Sequence, residues 1–226
     1  IASIHSGLGE IVAAQPDLLT DADMAILLEP SDAGVEAGCQ GTLRFVLSTR
    51  GVRAHSARSW RGRNAIHAMS DALRTLAQFQ PQPVEIDGLE YREGLNAVGI
   101  SGGVAGNVIP DECQLTINYR FAPDKSAAQA FAYMQEVFAG FTLELTDSAE
   151  GAMPGLTQPA MAEFLSFADT NPRPKFGWTD VARFSAMGIP ALNFGPGDPQ
   201  LAHTRAEYTP LAQLHTVVGT LRSWLS

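Results

Sequence analysis

The chain has 226 residues, 45% of them hydrophobic and 17% charged, and a formal net charge of −9. That is enough apolar material to build one large domain or two modest ones, and it excludes a disordered chain. The acidic balance argues against a nucleic-acid partner, which would need a broad basic face, but a local arginine cluster could still receive a small anionic substrate. Two cysteines, Cys39 and Cys113, make no disulfide framework and point to a reduced, cytoplasmic setting. No apolar run approaches the ~18 residues of a membrane span, so no membrane partner is expected. The opening "IASIHSGLGE" has neither the basic nor the apolar region of a signal peptide. It has no initiator methionine either, and the chain is expected to begin within a longer protein.

In chain order, "GLGEIVAAQPDLL" reads as a short helix that stops at Pro16. Met24 to Pro30, "MAILLEP", is a brief apolar run that reads as a buried strand ending in a loop. "TLRFVLST" alternates, with Leu43, Phe45 and Leu47 on one face, and is a strand. From Asn64 to Phe79, Ile66, Met69, Leu73 and Leu76 recur every three or four residues and predict an amphipathic helix. "PVEID" fits a short edge strand because a proline opens it. "LNAVGIS" and "CQLTINYRF" are strand-like, the second with Leu115, Ile117 and Tyr119 on one face. Ser126 is a plausible N-cap for a helix carrying Phe131, Met134 and Phe138, and "FTLELT" closes with a strand.

The order β-α-β-β-α-β is that of a ferredoxin-like unit. A linker-like stretch follows, "SAEGAMPGLTQP", then a helix at about 160–170, the strand-like "IPALNFG", a Gly-Pro-Gly turn and a closing helix from Leu211 with Leu214, Val217, Val218 and Leu221 on one stripe. The expected fold class is α/β, with residues 1–40 and 148–226 forming pieces of one domain and 41–147 inserted as the ferredoxin-like unit.

Five histidines are present. His67 and His215 fall inside helical patterns and read as structural, and His5 near the terminus is uninformative. His203 follows a glycine-rich turn after an apolar strand, the place where α/β folds put functional groups, so it is open to reading as a metal ligand, a base or a surface histidine. Glu29 ends a buried run, where a metal or a cation would compensate its charge unless the loop exposes it. His55 sits in "RGVRAHSARSWRGRNAIHA", able to donate to a developing oxyanion or simply to face solvent. Arg50, Arg53, Arg58, Arg61 and Arg63 crowd the same segment, either to read carboxylates or as a solvated face. Asp180 and Arg183 fit a local ion pair. No dinucleotide fingerprint, P-loop or nucleophile elbow occurs.

Taken together, "LLEPSDAGVEAGCQGTLR", "RAHSARSWRGRNAIHA", "GLNAVGISGGVAGNVIPDECQLTINYRF", "GWTDVARFSAMGIPALNFGPGD" and "AHTRAEY" occur in an order that resembles the di-zinc amidohydrolase family of desuccinylases, deacetylases, aminoacylases and glutamate carboxypeptidases. The likeness covers essentially the whole chain and is nearest in wording to the actinobacterial desuccinylase type, with acetylornithine deacetylase or another N-acyl amino acid hydrolase as the alternative.

The resemblance implies a catalytic α/β domain around two zinc ions, for which other divalent metals such as cobalt could substitute, and an inserted dimerisation or lid domain that makes a homodimer. It implies that Glu29 binds one zinc and His203 the other, and that His55 reaches across the dimer to polarise the scissile carbonyl. Asn107 and Arg120 match lid positions that contact substrate, with Arg120 pairing a carboxylate; Arg58 is a further candidate for substrate binding, and Gly177 and Thr179 match a loop bordering the pocket. Two departures touch that pocket. Arg58-Ser59-Trp60 stands where relatives often carry a proline, and Trp178 stands where relatives carry a threonine. The family's His-x-Asp pair, bridging aspartate and Glu-Glu pair have no counterpart in this sequence. One ligand for each zinc and no general base would leave the chain by itself a folded binding and dimerisation module, inactive and nearly zinc-free.

Overall fold

The structure is a computed structural model and describes residues 7–15 and 17–226. The expected helix stop at Pro16 and the reading of His5 lie outside the described residues. Helices run over Gly7–Ala14 and Asp17–Thr20. The chain divides into two compact units, one holding the described residues up to Gln40 with Val84–Tyr91 and Gly151–Ser226, the other Gly41–Pro83 and Arg92–Glu150.

The second unit is built on a four-stranded antiparallel sheet. Its strands lie in the order Leu143–Ala149, Gly41–Arg50, Glu112–Phe121, Gly94–Gly102. Numbered along the chain that is 4-1-3-2, the ferredoxin-like arrangement. The two central strands are ten residues long and pair without a break from Gly41 opposite Phe121 to Arg50 opposite Glu112. Alternation puts Leu43, Phe45 and Leu47 beside Leu115, Ile117 and Tyr119 on one face, all fully buried. Two helices cover that face. The first is capped by the Asn64 side chain, which accepts the N–H groups of Ile66 and His67. The second, Ala127–Val137, opens with a reciprocal capping box between Ser126 and Gln129. Phe45 meets Phe131 and Phe138 edge-on in this core.

Two expectations are corrected here. The first helix breaks at Met69 into Ala65–Ala68 and Ser70–Gln78, and its buried face is Ala65, Met69 and Ala72, while Ile66 and Leu73 are exposed. Small alanines approach the sheet more closely than the larger residues that set the apparent period. "PVEID" is no edge strand of the sheet. Pro83–Ile86 pairs with Leu89–Arg92 as a separate hairpin, turned by Asp87 and Gly88, both at positive φ. Residues 84–91 of this hairpin belong to the first unit, where the Tyr91 hydroxyl donates to the Ala37 carbonyl at 2.8 Å.

The first unit has a smaller sheet of strands Ala25–Leu27, Ala191–Asn193, Glu36–Ala37 and Arg173–Pro174, in that order. Ala25–Leu27 and Ala191–Asn193 run parallel in register. Helix Pro159–Phe167 and the closing helix Leu211–Leu225 join one apolar cluster, in which Phe164 meets Phe194 and Trp224 edge-on. On the closing helix only Val217 of the expected stripe is fully buried, Leu214 and Val218 being exposed. Helix Val181–Ala186 anchors a second cluster with Cys39 and Ala191. No described helix is long and apolar enough to cross a membrane.

Candidate functional site

In the first unit, the parallel strands Ala25–Leu27 and Ala191–Asn193 end side by side, and the chain leaving each is tied to the other. Phe194 N–H donates to the Leu27 carbonyl at 2.9 Å. The buried Ser31 hydroxyl donates to the Gly34 carbonyl at 2.6 Å and accepts the Gly195 N–H at 2.9 Å. Asp32 N–H donates to the Gly197 carbonyl and Ala33 N–H to that of Gly195. Gly195 is required for this approach, because a Cβ there would stand against the Glu29 carbonyl and 2.6 Å from that of Leu28. Asp32 and Ala33 both adopt positive φ. The loop carrying Glu29 is thereby fixed to the turn that leads to His203, at the C-terminal ends of parallel strands, where open α/β sheets build their sites.

His203 is also at positive φ, 65°, a conformation that side-chain-bearing residues rarely take without a compensating contact. Its N–H donates to the Glu207 carboxylate at 3.0 Å, which fixes the turn and leaves the imidazole exposed. Glu29 is likewise exposed, so its charge needs no compensation from burial.

A cavity of about 760 Å³ is lined by Glu29, Gly177, Thr179 and His203 together. Four of the residues singled out in the sequence therefore share one hollow. The remaining wall includes a cation–anion pair that sequence gave no means of finding, since its members lie 139 residues apart. Lys175 Nζ donates to Glu36 Oε2 at 2.5 Å, with both side chains nearly buried. Arg173 donates to the Ser31 carbonyl at 2.8 Å and so braces the Glu29 loop from the same wall. Behind the cavity lies Cys39, whose thiol donates to the Thr179 carbonyl at 3.8 Å, and burial pushes that thiol up to about 11. It is a neutral structural group.

As a metal site the donor set is partial. A carboxylate and an imidazole are both zinc ligands, but zinc holds three or four protein ligands, and among the described residues no group of three His, Cys, Asp or Glu side chains is placed to hold a metal ion.

The other predicted residues belong to the second unit. Ala54–His55 pairs antiparallel with Val108–Ile109, setting His55 opposite Val108, and Ser56 N–H donates to the Asn107 carbonyl at 2.9 Å. His55, Arg58 and Asn107 therefore lie on two adjoining segments. His55 caps the 3-10 turn Ser56–Arg61, its Nδ1 accepting the Ala57 N–H at 3.1 Å. In a neutral ring that bond leaves the proton on Nε2, which can donate outward. The segment is closed at its neck by two backbone bonds between Val52 and Arg63. Of its arginines, Arg53 is spent on Asp111, whose carboxyl it holds below the usual range, and Arg50 pairs with Glu112. Arg120 stands elsewhere in this unit, on the sheet face opposite the core, between Thr42 and Gly94. Asp180 and Arg183 do form the expected local pair, at 2.8 Å.

Residues 38–145 match the peptidase dimerisation domain family. Two solved structures share the fold: a tripeptidase from Staphylococcus aureus, with a TM-score of 0.74 and 20% identity over 96% of this chain and 60% of that one, and an M20 family metallo-carboxypeptidase from Sulfolobus solfataricus, with 0.70 and 15% over 96% and 66%. The chain is 54% identical, over its full length, to a Mycobacterium tuberculosis protein assigned as succinyl-diaminopimelate desuccinylase DapE, and 46% identical to the succinyl-diaminopimelate desuccinylase of Corynebacterium glutamicum. It spans 64% and 63% of the lengths of those two relatives.

Proposed function

We propose that this chain is the part of a zinc-dependent desuccinylase that carries one ligand for each of two zinc ions and the carbonyl-polarising histidine. The reaction is hydrolysis of the succinyl amide of N-succinyl-LL-2,6-diaminopimelate to succinate and LL-diaminopimelate, in the cytoplasm, as a step of diaminopimelate and lysine biosynthesis. The observation that carries the reading is the 54% identity over the whole chain to a protein assigned that activity. The meeting of Glu29 and His203 at one cavity supports it.

Glu29 would hold one ion and His203 the other, with the remaining ligands and the general base supplied by residues outside this chain. Zinc, when bound, lowers the pKa of a coordinated water and polarises the carbonyl. His55 of the partner subunit donates its Nε2–H to the oxygen of the scissile amide as negative charge develops there. The Ala57 bond that holds the tautomer supports this role. Arg120, Asn107 and Arg58 receive the substrate's carboxylates, and Gly177 and Thr179 border the pocket. A homodimer forms through the second unit. Among the described residues its edge strand Gly94–Gly102 pairs on one side only and exposes Val98 and Ile100, as an edge that accepts a partner would.

The full-length protein should hydrolyse N-succinyl-LL-diaminopimelate in preference to N-acetylornithine, and the reverse preference would replace the desuccinylase reading with a deacetylase one. His55→Ala in that protein should lower kcat by about 10²–10³ while zinc content, read by metal analysis, stays unchanged. A fall in zinc would make His55 a ligand instead. The 226-residue chain alone should be inactive and nearly zinc-free. Stoichiometric zinc bound to it would show the donor set to be larger than Glu29 and His203.

A further inference from the structure

The cavity has an aromatic element to which the roles above assign nothing. Phe176 and Trp178 both line it, flanking Gly177. The two differ in restraint. Phe176 is about half exposed. Trp178 packs on the apolar cluster that contains Cys39, Val181 and Ala191, and the Arg183 guanidinium sits 5.6 Å from the centre of its ring. Arg183 is itself held, its Nε donating to Asp180 Oδ1 at 2.8 Å. The indole is thus fixed from behind by the cluster and over one face by a cation that is anchored in turn. A ring held in this way resists swinging aside when the cavity fills, and an indole offers apolar aromatic surface to what lies against it.

We infer that Trp178 is a specificity-determining residue, a fixed platform on which the aliphatic chain of the substrate lies. This rests on the hydrolytic reading above. The polar groups around it favour that kind of occupant. Glu29 and His203 both line the cavity with exposed side chains, and Lys175 is engaged with Glu36. A ligand able to use all of this lining has polar ends joined by methylenes, as a dicarboxylic acyl group or a long amino-acid side chain has. A short acetyl group or an alanine side chain leaves the indole uncovered. Arg183 acts through Trp178 as a positioning residue.

The experiment uses the full-length enzyme with Trp178→Ala, Trp178→Phe and Arg183→Met. Three substrates are compared: N-succinyl-LL-diaminopimelate, N-acetyl-LL-diaminopimelate and N-succinyl-alanine. Trp178→Ala should reduce kcat/KM for the first about tenfold, mostly through KM, since two methylenes laid on a ring are worth about that much. At least one truncated substrate should change less than twofold, and which one identifies the chain that Trp178 touches. Trp178→Phe should recover most of the loss, and Arg183→Met should reproduce part of it. Equal losses on all three substrates, or no loss, would overturn the inference. If the wild-type enzyme fails to hydrolyse the first substrate, the hydrolytic reading falls. Calorimetric binding of that compound to wild type and Trp178→Ala then decides this inference: a loss of fivefold or more supports it, and equal affinity or no binding overturns it.

Discussion

The two units of this chain are stabilised in different ways. The second is held by repetition, with two ten-residue strands in unbroken register and one continuous core of stacked side chains. The four-stranded sheet of the first has strands of two and three residues, the unit's core is split into two clusters, and its decisive bonds join loops. Ser31 alone reaches both Gly34 and Gly195. A regular ladder spreads its stability over many equivalent bonds, so no single one is critical. Loops fixed by a few particular bonds can hold unusual backbone and place isolated side chains accurately, which is what a binding site needs.

Substitutions in each unit should sharpen this contrast. The largest effect is expected from Phe45→Ala, which opens a cavity where three aromatic rings meet and should cost about 3–5 kcal/mol. Amide hydrogen exchange would then quicken across all four strands of the second unit together. Acceleration confined to residues near 45 would mean the ladder holds without its core. Next comes Gly195→Ala. The added methyl meets backbone at Glu29 and Leu28, which cannot rotate away, and a destabilisation of about 3 kcal/mol is expected. Here exchange should quicken at 28–34 and 194–198 and leave the second unit's sheet unchanged. If both regions respond equally, the contrast is wrong.

The smallest effect is alkaline and belongs to the first unit. Burial raises the Cys39 thiol to about 11 from an ordinary value near 9. A group raised in this way contributes stability that is complete below its unfolded value and fades as pH rises through the folded one. Stability should therefore fall between about pH 9 and 11, and Cys39→Ser should remove part of that slope in a pH series of chemical denaturation curves. In the native state at pH 8 the thiol should resist alkylation.

The same contrast governs what could be read from sequence. Period-two alternation needs several residues to declare itself, and it located Leu43, Phe45, Leu47 and their partners because those strands are long. Glu36–Ala37, Ala54–His55, Val108–Ile109 and Arg173–Pro174 are two-residue strands, and no pattern exists in two residues. The helix after Asn64 was placed correctly but only half of its buried face was: Met69 and Leu76 do pack on the core, whereas periodicity weighs the exposed Ile66 and Leu73 above the buried Ala65 and Ala72. The hairpin turn at Asp87-Gly88 did carry a signal that went unused. At the site, Glu29 and His203 stood out from their motifs and their places after apolar runs. The Lys175–Glu36 pair did not, because charge complementarity across 139 residues has no local trace.

The backbone of His203 has a consequence for how this protein tolerates change. Glycine occupies its left-handed geometry with less strain than histidine does. On conformational grounds alone, then, the polypeptide would be at least as well off with another residue there. Folding and chemistry make opposing demands at this one position. Variation that favoured only a more durable protein would tend to erase the imidazole and leave the turn intact, a well-folded molecule without the ligand proposed for this position.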